Sequence, residues 1–259
     1  MSMRYDLHTH TTYSDGSDWR DMVAAAEHAG LAGIGFTDHC AIGPDEFGRR
    51  DRYDLVETYP ERRTEFANGD VSMTVFDAAE INYEPAKEAA IEAFLEQARF
   101  DYVIGSVHFT DGVHFSDPDL SDASHRRRRR AVEDYVEAQI ALIESELFDV
   151  VGHLDLVQRT PSLRGLMTRS HYERIADAFE HATAIPELNA GRLDRSYGTV
   201  HPDPAHVEPF IERDIPFVVG TDSHAPDQLR SRVGLLATVL EELPIRVIEL
   251  PDVLEPVTP

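Results

Sequence analysis

The sequence predicts an α/β fold, a distorted seven-stranded (β/α)7 TIM-like barrel with a metal site at the mouth formed by the carboxyl ends of its strands. Three observations predict it. Short apolar segments recur along the chain, amphipathic segments separate them, and each apolar segment ends in histidine or a carboxylic acid. Alternating strands and helices form a parallel sheet, and seven such units in 259 residues can close it into a barrel. We expect a single domain over residues 1–259, because no linker or repeat interrupts the pattern.

Seven segments carry the strand pattern of short apolar runs with β-branched or aromatic residues. In chain order they are RYDLHTH, AGIGFTDH, MTVFDAAEIN, FDYVIGSVH, FDVVGHLD, AIPELN and IPFVVGTDSH. In a β/α barrel the carboxyl ends of the strands converge on one mouth, where the active site lies. The polar residues that end these segments are therefore expected to meet.

Amphipathic segments lie between the predicted strands. They include DWRDMVAAAEHAG, EPAKEAAIEAFLEQA, HYERIADAFEHA and DPAHVEPFIERD. A further helix is predicted from RRRRRAVEDYVEAQIALIESEL, whose opening run, Arg126–Arg130, indicates a solvated helix face or, alternatively, an anion-recruiting patch beside the active site. The tail PIRVIELPDVLEPVTP either adds one strand or covers the barrel, since its prolines argue against a helix.

The charge of the chain excludes some classes of partner. It carries 48 acidic residues against 24 basic ones, a formal net charge of -24, and Lys87 is its only lysine. Binding to nucleic acids or anionic membranes depends on basic side chains, so we expect neither. A solvated acidic shell is typical of adaptation to high salt, where screening makes self-repulsion tolerable. No apolar run approaches the roughly 20 residues of a membrane span and no leader pattern is present, which predicts a cytoplasmic protein.

The strand ends supply the candidate functional residues. They are His8, His10, His39, Glu80, His108, His153, Glu187, Asn189, Asp222 and His224. Imidazole and carboxylate ligands suit zinc, manganese or iron, and this set is too large for one ion, so two or three divalent metal ions are expected. Sites of this kind hydrolyse phosphate esters, because the ions activate water and neutralise the phosphoryl oxygens. Glu187 and Asn189 could orient ligands, contact substrate or simply close the strand end.

Taken together, these segments resemble a known family. DLHTHTTYSDG, GFTDHC, AAEINY, FDYVIGSVHFTDG, DVVGHLDLV, ELNAG and GTDSHAP resemble the PHP (polymerase and histidinol phosphatase) family of metal-dependent phosphoesterases, over residues 4 to about 230. FDYVIGSVHF, FDVVGHLDLV and the chain length are most similar to histidinol-phosphate phosphatases. The resemblance implies hydrolysis of L-histidinol phosphate to L-histidinol and phosphate in histidine biosynthesis. The alternative is a PHP-family nucleotide phosphatase or nuclease that acts on another phosphoester.

By position, the resemblance also implies three ions and their ligands. The first ion would be held by His8, His10, Glu80 and Asp222. Glu80 would bridge to a second ion, held also by His108 and His153. The third would take His39, His224 and Asp15, the last in an SDG loop where histidinol phosphatases usually have a histidine and other PHP phosphoesterases have an aspartate.

The resemblance further implies an arginine that grips the substrate phosphate. ELNAGRLDR offers Arg192 and Arg195, neither in clean register, and surface ion pairs are the alternative for both. We expect Asn189 to bind substrate as well. Glu80 and Asp222 are the predicted catalytic residues, with Asp222 or a water on the third ion as the proton source for the leaving alkoxide.

Two other hypotheses from this pattern are weaker. An amidohydrolase often needs a strand-end lysine, but Lys87 lies in a helical segment, and a binding-only PHP module should have lost ligands, whereas all nine positions are filled. Cys40 excludes an internal disulfide and a thiolate cluster, and it is expected in the barrel wall. The histidines away from strand ends are expected to face solvent, with only the first of them bordering the mouth: His114, His125, His171, His181, His201 and His206.

Overall fold

A computed structural model describes residues 3–43, 55–110, 113–115 and 120–250. In chain order its strands are β1 (Tyr5–Thr9), β2 (Gly33–Cys40), β3 (Thr74–Asn82), β4 (Val103–Ser106), β5 (Phe109–Thr110), β6 (Val113–His114), β7 (Val150–Val151), β8 (Ile185–Asn189) and β9 (Val218–Gly220). One parallel sheet has the order β1-β2-β3-β4-β7-β8-β9, and these are the seven predicted strands. The antiparallel hairpin β5–β6, which was not predicted, follows β4.

The helices of the described residues are α1 (Trp19–His28), α2 (Leu55–Ala67), α3 (Glu88–Ala98), α4 (His125–Glu144), α5 (Arg169–Phe179), α6 (Glu208–Glu212) and α7 (Pro226–Glu242). Each of the five predicted helical segments overlaps one of them. The start of α1 illustrates why, since the Asp18 carboxylate caps it by accepting from Arg20 N at 2.9 Å and the buried Trp19, Met22 and Val23 recur at helical spacing. Among these helices none has the length and apolar character needed to cross a bilayer.

The first and last strands of the sheet meet at a seam. Thr9 bridges Ser223 in parallel, and His10 N donates to Ser223 O at 2.9 Å. Below this bridge the buried Asp6 carboxylate accepts from Thr221 N at 2.9 Å and from Thr221 Oγ1 at 2.5 Å. The seam makes the sheet a nearly closed barrel, which confirms the predicted fold class.

Two apolar clusters hold the barrel together. The larger lies between the sheet and the helices and includes Cys40, which is buried in the barrel wall as predicted. The smaller takes its buried members from the strands, from Tyr102 just before β4 and from the tail, so it fills the barrel interior. There Tyr102 donates its hydroxyl to Leu7 O at 2.6 Å, in a space left free because Gly35 has no side chain: a Cβ on Gly35 would lie 1.8 Å from the Tyr102 oxygen.

Three further expectations can be compared with the structure. Four of the five arginines in Arg126–Arg130 are exposed and Arg130 pairs with Asp134 at 2.8 Å, which confirms a solvated helix face. The described part of the tail adds to the sheet, since Phe217 N donates to Arg246 O and Ile248 N donates to Phe217 O, whereas residues 251–259 lie outside the described part. The prediction for His201 was wrong, because this side chain is only 1% exposed and pairs with Asp155.

Candidate metal centre

The strand ends bring the nine predicted metal ligands to one place. Five of these residues follow a strand within four positions, Asp15 lies in the loop after β1, and three lie inside a strand within two residues of its end: His8, His39 and Glu80. Two ligands have a strained backbone, because His153 and Asp222 have positive φ angles of 24° and 50°. Gly191 packs directly on Asp222, where a Cβ would lie 2.3 Å from Oδ2. The local chain is therefore shaped to place these side chains.

Glu80 lies at the centre of the cluster and is 1% exposed. Its Oε2 is 2.7 Å from His39 Nδ1 and 3.5 Å from His8 Nε2. Its Oε1 is 2.9 Å from His153 Nε2 and 3.4 Å from His108 Nε2. His10 Nε2 lies 3.8 Å from the same Oε2. The two oxygens thus face different sets of histidines, which is the arrangement that a bridging carboxylate requires.

The remaining ligands surround Asp222 and Asp15. Asp222 Oδ1 lies 3.4 Å from His10 Nε2 and 3.6 Å from His224 Nδ1. Asp15 Oδ1 lies 3.3 Å from His224 Nε2 and 3.7 Å from His39 Nε2. Each carboxylate is therefore shared by two imidazoles.

The described part of the chain contains three groups of residues whose ligand atoms, within each group, all lie within 4.8 Å of one another. They are His8, His10 and Asp222; His39, Glu80 and His108; and His10, Asp15, His39 and His224. The first and third resemble the ligand sets expected for the first and third ions. His39 differs from expectation, since it was assigned to the third ion alone and its ring lies between two groups, with Nδ1 toward Glu80 and Nε2 toward Asp15.

Several buried polar atoms in this cluster fit a bound cation. His8 Nε2 and both ring nitrogens of His10 are buried and form no hydrogen bond to any described residue. Buried polar atoms are almost always paired, and unpaired imidazole nitrogens that face carboxylates are the donor set of a divalent transition metal. The residues present therefore fit the metal ions that the sequence implies.

Glu187 orients two of these ligands. Its Oε1 lies 2.8 Å from His8 Nδ1, and its Oε2 accepts from His153 N at 3.1 Å and from Asn189 Nδ2 at 3.0 Å. A carboxylate behind a metal-binding imidazole fixes the ring and its tautomer. Asn189 is fully buried and its Oδ1 accepts from Gly191 N, so its observed contacts are internal and its contact with substrate stays a prediction.

The ionisation of the cluster is set by burial and by mutual charge. Burial alone would raise the pKa of Glu80 and Asp222, but the surrounding histidines outweigh it and hold both pKa values well below the usual range. Burial, with the charges of His224 and His39, lowers the pKa of His10 to about 4. Burial also opposes the charge on His39, but Glu80 prevails and raises its pKa to about 9. The carboxylates are thus ionised and His10 is neutral, as metal ligands must be.

The cluster forms the floor of a cavity of about 480 Å³ whose walls carry arginines. Arg192 and Arg195 both line it, although Arg195 also pairs with Asp194 at 3.7 Å. Arg159 lines it too, and burial, with the charge of Arg192, lowers its pKa to about 10. Cations this close to one another indicate a place for an anion.

Sequence reasoning missed two arginines that line the cavity, Arg159 and Arg232. Arg159 ends a short 3-10 helix, Leu156–Arg159, six residues after His153, and only its position beyond a strand end could have indicated it. Arg232 lies in α7 and is 3% exposed. It donates Nη1 to Asp222 O at 2.7 Å and Nε to Asp194 Oδ1 at 3.0 Å, so it ties the loop of Arg192 and Arg195 to the end of β9.

The predicted solvent-facing histidines vary in environment. His125 and His181 are exposed, as expected. His114 lines the cavity and stacks on Phe109, which agrees with its expected position at the mouth. His171 and His206 are partly buried, the first against Glu133 at 3.1 Å and the second on the ring of Tyr172. Apart from His114, these histidines therefore need no role in metal binding.

Comparisons with known proteins agree with this architecture. A protein of Deinococcus radiodurans named "probable histidinol-phosphatase" is 29% identical over 238 residues, which cover 88% of each chain. Two solved structures share the fold. The histidinol phosphate phosphatase of Lactococcus lactis, complexed with zinc, L-histidinol and phosphate, has a TM-score of 0.77 and 21% identity over 96% of both chains. A candidate histidinol phosphatase of Listeria monocytogenes has a TM-score of 0.68 and 19% identity over 86% of this chain and 96% of its own.

The family itself follows from a match to most of the chain. The family model of the PHP domain matches residues 6–190, which contain seven of the nine predicted ligands as well as Glu187 and Asn189. Because this match spans well over half of the sequence, the chain belongs to the PHP family.

Proposed function

We propose that this chain is a metal-dependent phosphomonoester hydrolase whose substrate is L-histidinol phosphate. One observation carries the proposal: six histidines and three carboxylates converge on the floor of a cavity whose walls carry Arg159, Arg192 and Arg195. A floor that binds cations beside a cationic wall suits a phosphate group, which can contact both.

The nine ligands would hold three divalent ions. His8, His10 and Asp222 would hold the first, with Glu80 reaching it through Oε2. Glu80, His108 and His153 would hold the second, and Asp15, His39 and His224 the third. Zinc is the metal in the Lactococcus structure, and manganese and iron accept the same donors. When bound, such ions activate water as a nucleophile and neutralise the charge on the phosphoryl oxygens.

The arginines would bind the phosphate from the cavity wall. A guanidinium matches two phosphate oxygens at once, and its binding is stronger in a site that partly excludes water. Arg159 is the best placed of the three because it is partly buried, whereas Arg192 and Arg195 are exposed. Binding of a dianion would also relieve the repulsion between Arg159 and Arg192.

Glu80 and Asp222 would act in different ways. Glu80 is buried beneath the cavity and lies between histidines, so it would serve as a ligand shared by two ions. The Asp222 carboxyl is 17% exposed and borders the cavity, where it is accessible for proton transfer. Since its pKa lies well below the usual range, Asp222 is ionised and holds no proton of its own to supply to the leaving alkoxide.

The substrate is inferred from the relatives. The Deinococcus protein is named for histidinol phosphate, and the Lactococcus enzyme was solved with the two products of its hydrolysis. Asp15 is the observation that favours the second candidate, a nucleotide phosphatase or nuclease, because histidinol phosphatases usually have a histidine in that loop.

The test is phosphate release from histidinol phosphate, AMP and an aryl phosphate at matched concentrations, with zinc or manganese in high-salt buffer. We expect at least a hundredfold higher kcat/KM for histidinol phosphate, equivalent to about 2.7 kcal/mol of transition-state binding. Similar rates on all three, or a preference for AMP, would support the second candidate. No release from any of them would overturn the proposal.

A further inference from the structure

The loop between β1 and α1 carries Asp15, the proposed ligand whose side chain is the most exposed of the nine, at 35%. Its carboxylate nevertheless lies 3.3 Å from His224 Nε2 and 3.7 Å from His39 Nε2. An exposed side chain receives little support from packing around it. Its position must therefore be set by whatever holds the loop backbone.

One buried carboxylate, that of Asp38, holds both sides of the loop's first turn. It accepts from Thr11 N at 2.6 Å, from Thr11 Oγ1 at 2.7 Å and from Ser14 Oγ at 2.7 Å. Ser14 is the residue before Asp15, and Asp38 is the residue before His39. The same side chain therefore connects the backbone of one proposed ligand of the third ion to that of another.

Helix α2 supplies the charge that holds Asp38. Arg62 is fully buried and donates Nη1 to Asp38 Oδ2 at 2.8 Å. Its Nη2 donates to Asp77 Oδ1 at 2.6 Å and to Ala78 O at 2.5 Å, so the guanidinium spans β2 and β3. A buried arginine in such a fork fixes the orientation of the carboxylates that it contacts.

The next turn of α2 holds the other part of the loop. Glu65, three residues after Arg62 and on the same helix face, accepts from Tyr13 Oη at 2.8 Å and from Trp19 Nε1 at 2.7 Å. The loop is thus attached to α2 on both sides of Asp15, through Tyr13 before it and Trp19 after it.

We propose that α2 is the element that positions Asp15 for metal binding, and that Asp38, held by Arg62, is the positioning residue through which it acts. The inference rests on the proposed function only in taking Asp15 as a ligand of the third ion. It assigns a role to a helix that contributes no ligand of its own. Partners of this kind typically change metal affinity by 10- to 100-fold when they are replaced.

The test is metal affinity, measured with zinc buffers and ion counting on the folded, full-length chain, without a turnover assay. Asp15→Ala identifies the ion that Asp15 holds. We expect Asp38→Asn to weaken binding of the same ion by up to about 100-fold, and Ser14→Ala to weaken it by about tenfold.

Ser14→Ala removes one hydroxyl and leaves the buried Arg62–Asp38 pair intact, so it can replace Asp38→Asn if that variant fails to fold. Ser72→Ala is the matched control, because it removes a hydroxyl–carboxylate bond of equal length, 2.7 Å to Glu27 Oε1, on the exposed surface.

A double-mutant cycle separates positioning from a general loss of structure. If Asp38 acts through Asp15, then Asp38→Asn and Ser14→Ala have no further effect in the Asp15→Ala background. Equal losses of affinity in both backgrounds would overturn the proposal. Wild-type affinity in Asp15→Ala would also overturn it, and so would wild-type affinity in both single variants Ser14→Ala and Asp38→Asn. Absence of phosphate release by the wild type would refute the proposed function and leave this ion-binding result unaffected.

Discussion

Asp155 Oδ1 lies 2.5 Å from His201 Nδ1 inside the protein, with both side chains almost completely buried. The other oxygen of Asp155 accepts from Tyr172 Oη at 2.9 Å and from Asp203 N at 3.0 Å. His201 in turn pairs through its backbone with Asn189. The pair therefore connects the segment after His153 to the far end of the loop that carries Arg192 and Arg195.

Asp155→Ala should destabilise the protein by about 3 kcal/mol or more, because it leaves the buried His201 and Tyr172, and the backbone N–H of Asp203, without their partner. Urea unfolding of the metal-free chain measures this change. Asp177→Ala is the control, since it breaks an exposed pair with Arg213 and should cost less than about 1 kcal/mol. Equal effects of the two substitutions would contradict a structural role for the Asp155–His201 pair.

Glu80→Ala and His8→Ala should each abolish metal-dependent phosphate release and leave a folded chain. Glu80 lies within 4 Å of five histidines, so its loss would remove a ligand from two of the proposed ions at once, whereas His8→Ala would affect one. Ion counting should show a larger loss in Glu80→Ala than in His8→Ala. Activity retained in Glu80→Ala would refute its bridging role.

Arg159→Ala should lower kcat/KM by about 10- to 100-fold, in line with the 1.5–3 kcal/mol of a hydrogen bond to a charged group. The loss should exceed that of Arg192→Ala or Arg195→Ala, because Arg159 is more buried than either. Arg169→Ala removes an exposed arginine whose partners are surface glutamates and should leave kcat/KM unchanged. If Arg159→Ala also behaves like wild type, phosphate is held elsewhere.

Metal affinity should rise with pH. A metal-binding imidazole must be neutral, but Glu80 raises the pKa of His39 to about 9 despite burial, so binding below that pH displaces a proton. We expect at least about a tenfold gain in affinity per pH unit between pH 7 and pH 8, measured with metal buffers. His10 adds nothing to this slope, since its pKa is about 4.

The stability of the metal-free protein should change with pH in the opposite direction to its metal affinity. The raised pKa of His39 stabilises the folded state below pH 6.5, and this contribution is lost as the pH rises through about 9. Protein from which a chelator has removed the metal should therefore become less stable as the pH rises, over the same pH interval in which metal binding becomes stronger. A metal affinity independent of pH would show that His39 is not a ligand.

The strands and the ligand cluster were predictable because they depend on local pattern and on one rule of geometry. Each of the seven strands is a short apolar segment, and parallel strands present their carboxyl ends at one mouth. His8 and Asp222 could thus be placed together although most of the chain separates them. The motifs around them also sufficed to predict the PHP family.

What escaped prediction depends on single polar contacts between distant segments. Helix α2 contains Pro60, and one of its two buried residues is Arg62, so it lacks the apolar stripe by which helices are recognised. His201 was expected in solvent because its partner, Asp155, lies 46 residues earlier and nothing in the local sequence indicates the pair. Arg159 and Arg232 were missed for the same reason.

The seam between β1 and β9 joins parts of the chain that are 215 residues apart, as Asp6 and Thr221 show. His10 lies on one side of it and Asp222 on the other. An ion held by both would act as a reversible cross-link across almost the whole chain, but unlike a covalent cross-link, which restricts the unfolded chain, it would stabilise the protein by binding only to the folded state, where the two ends meet. Closure of the barrel would then follow the concentration of free metal in the surrounding solution.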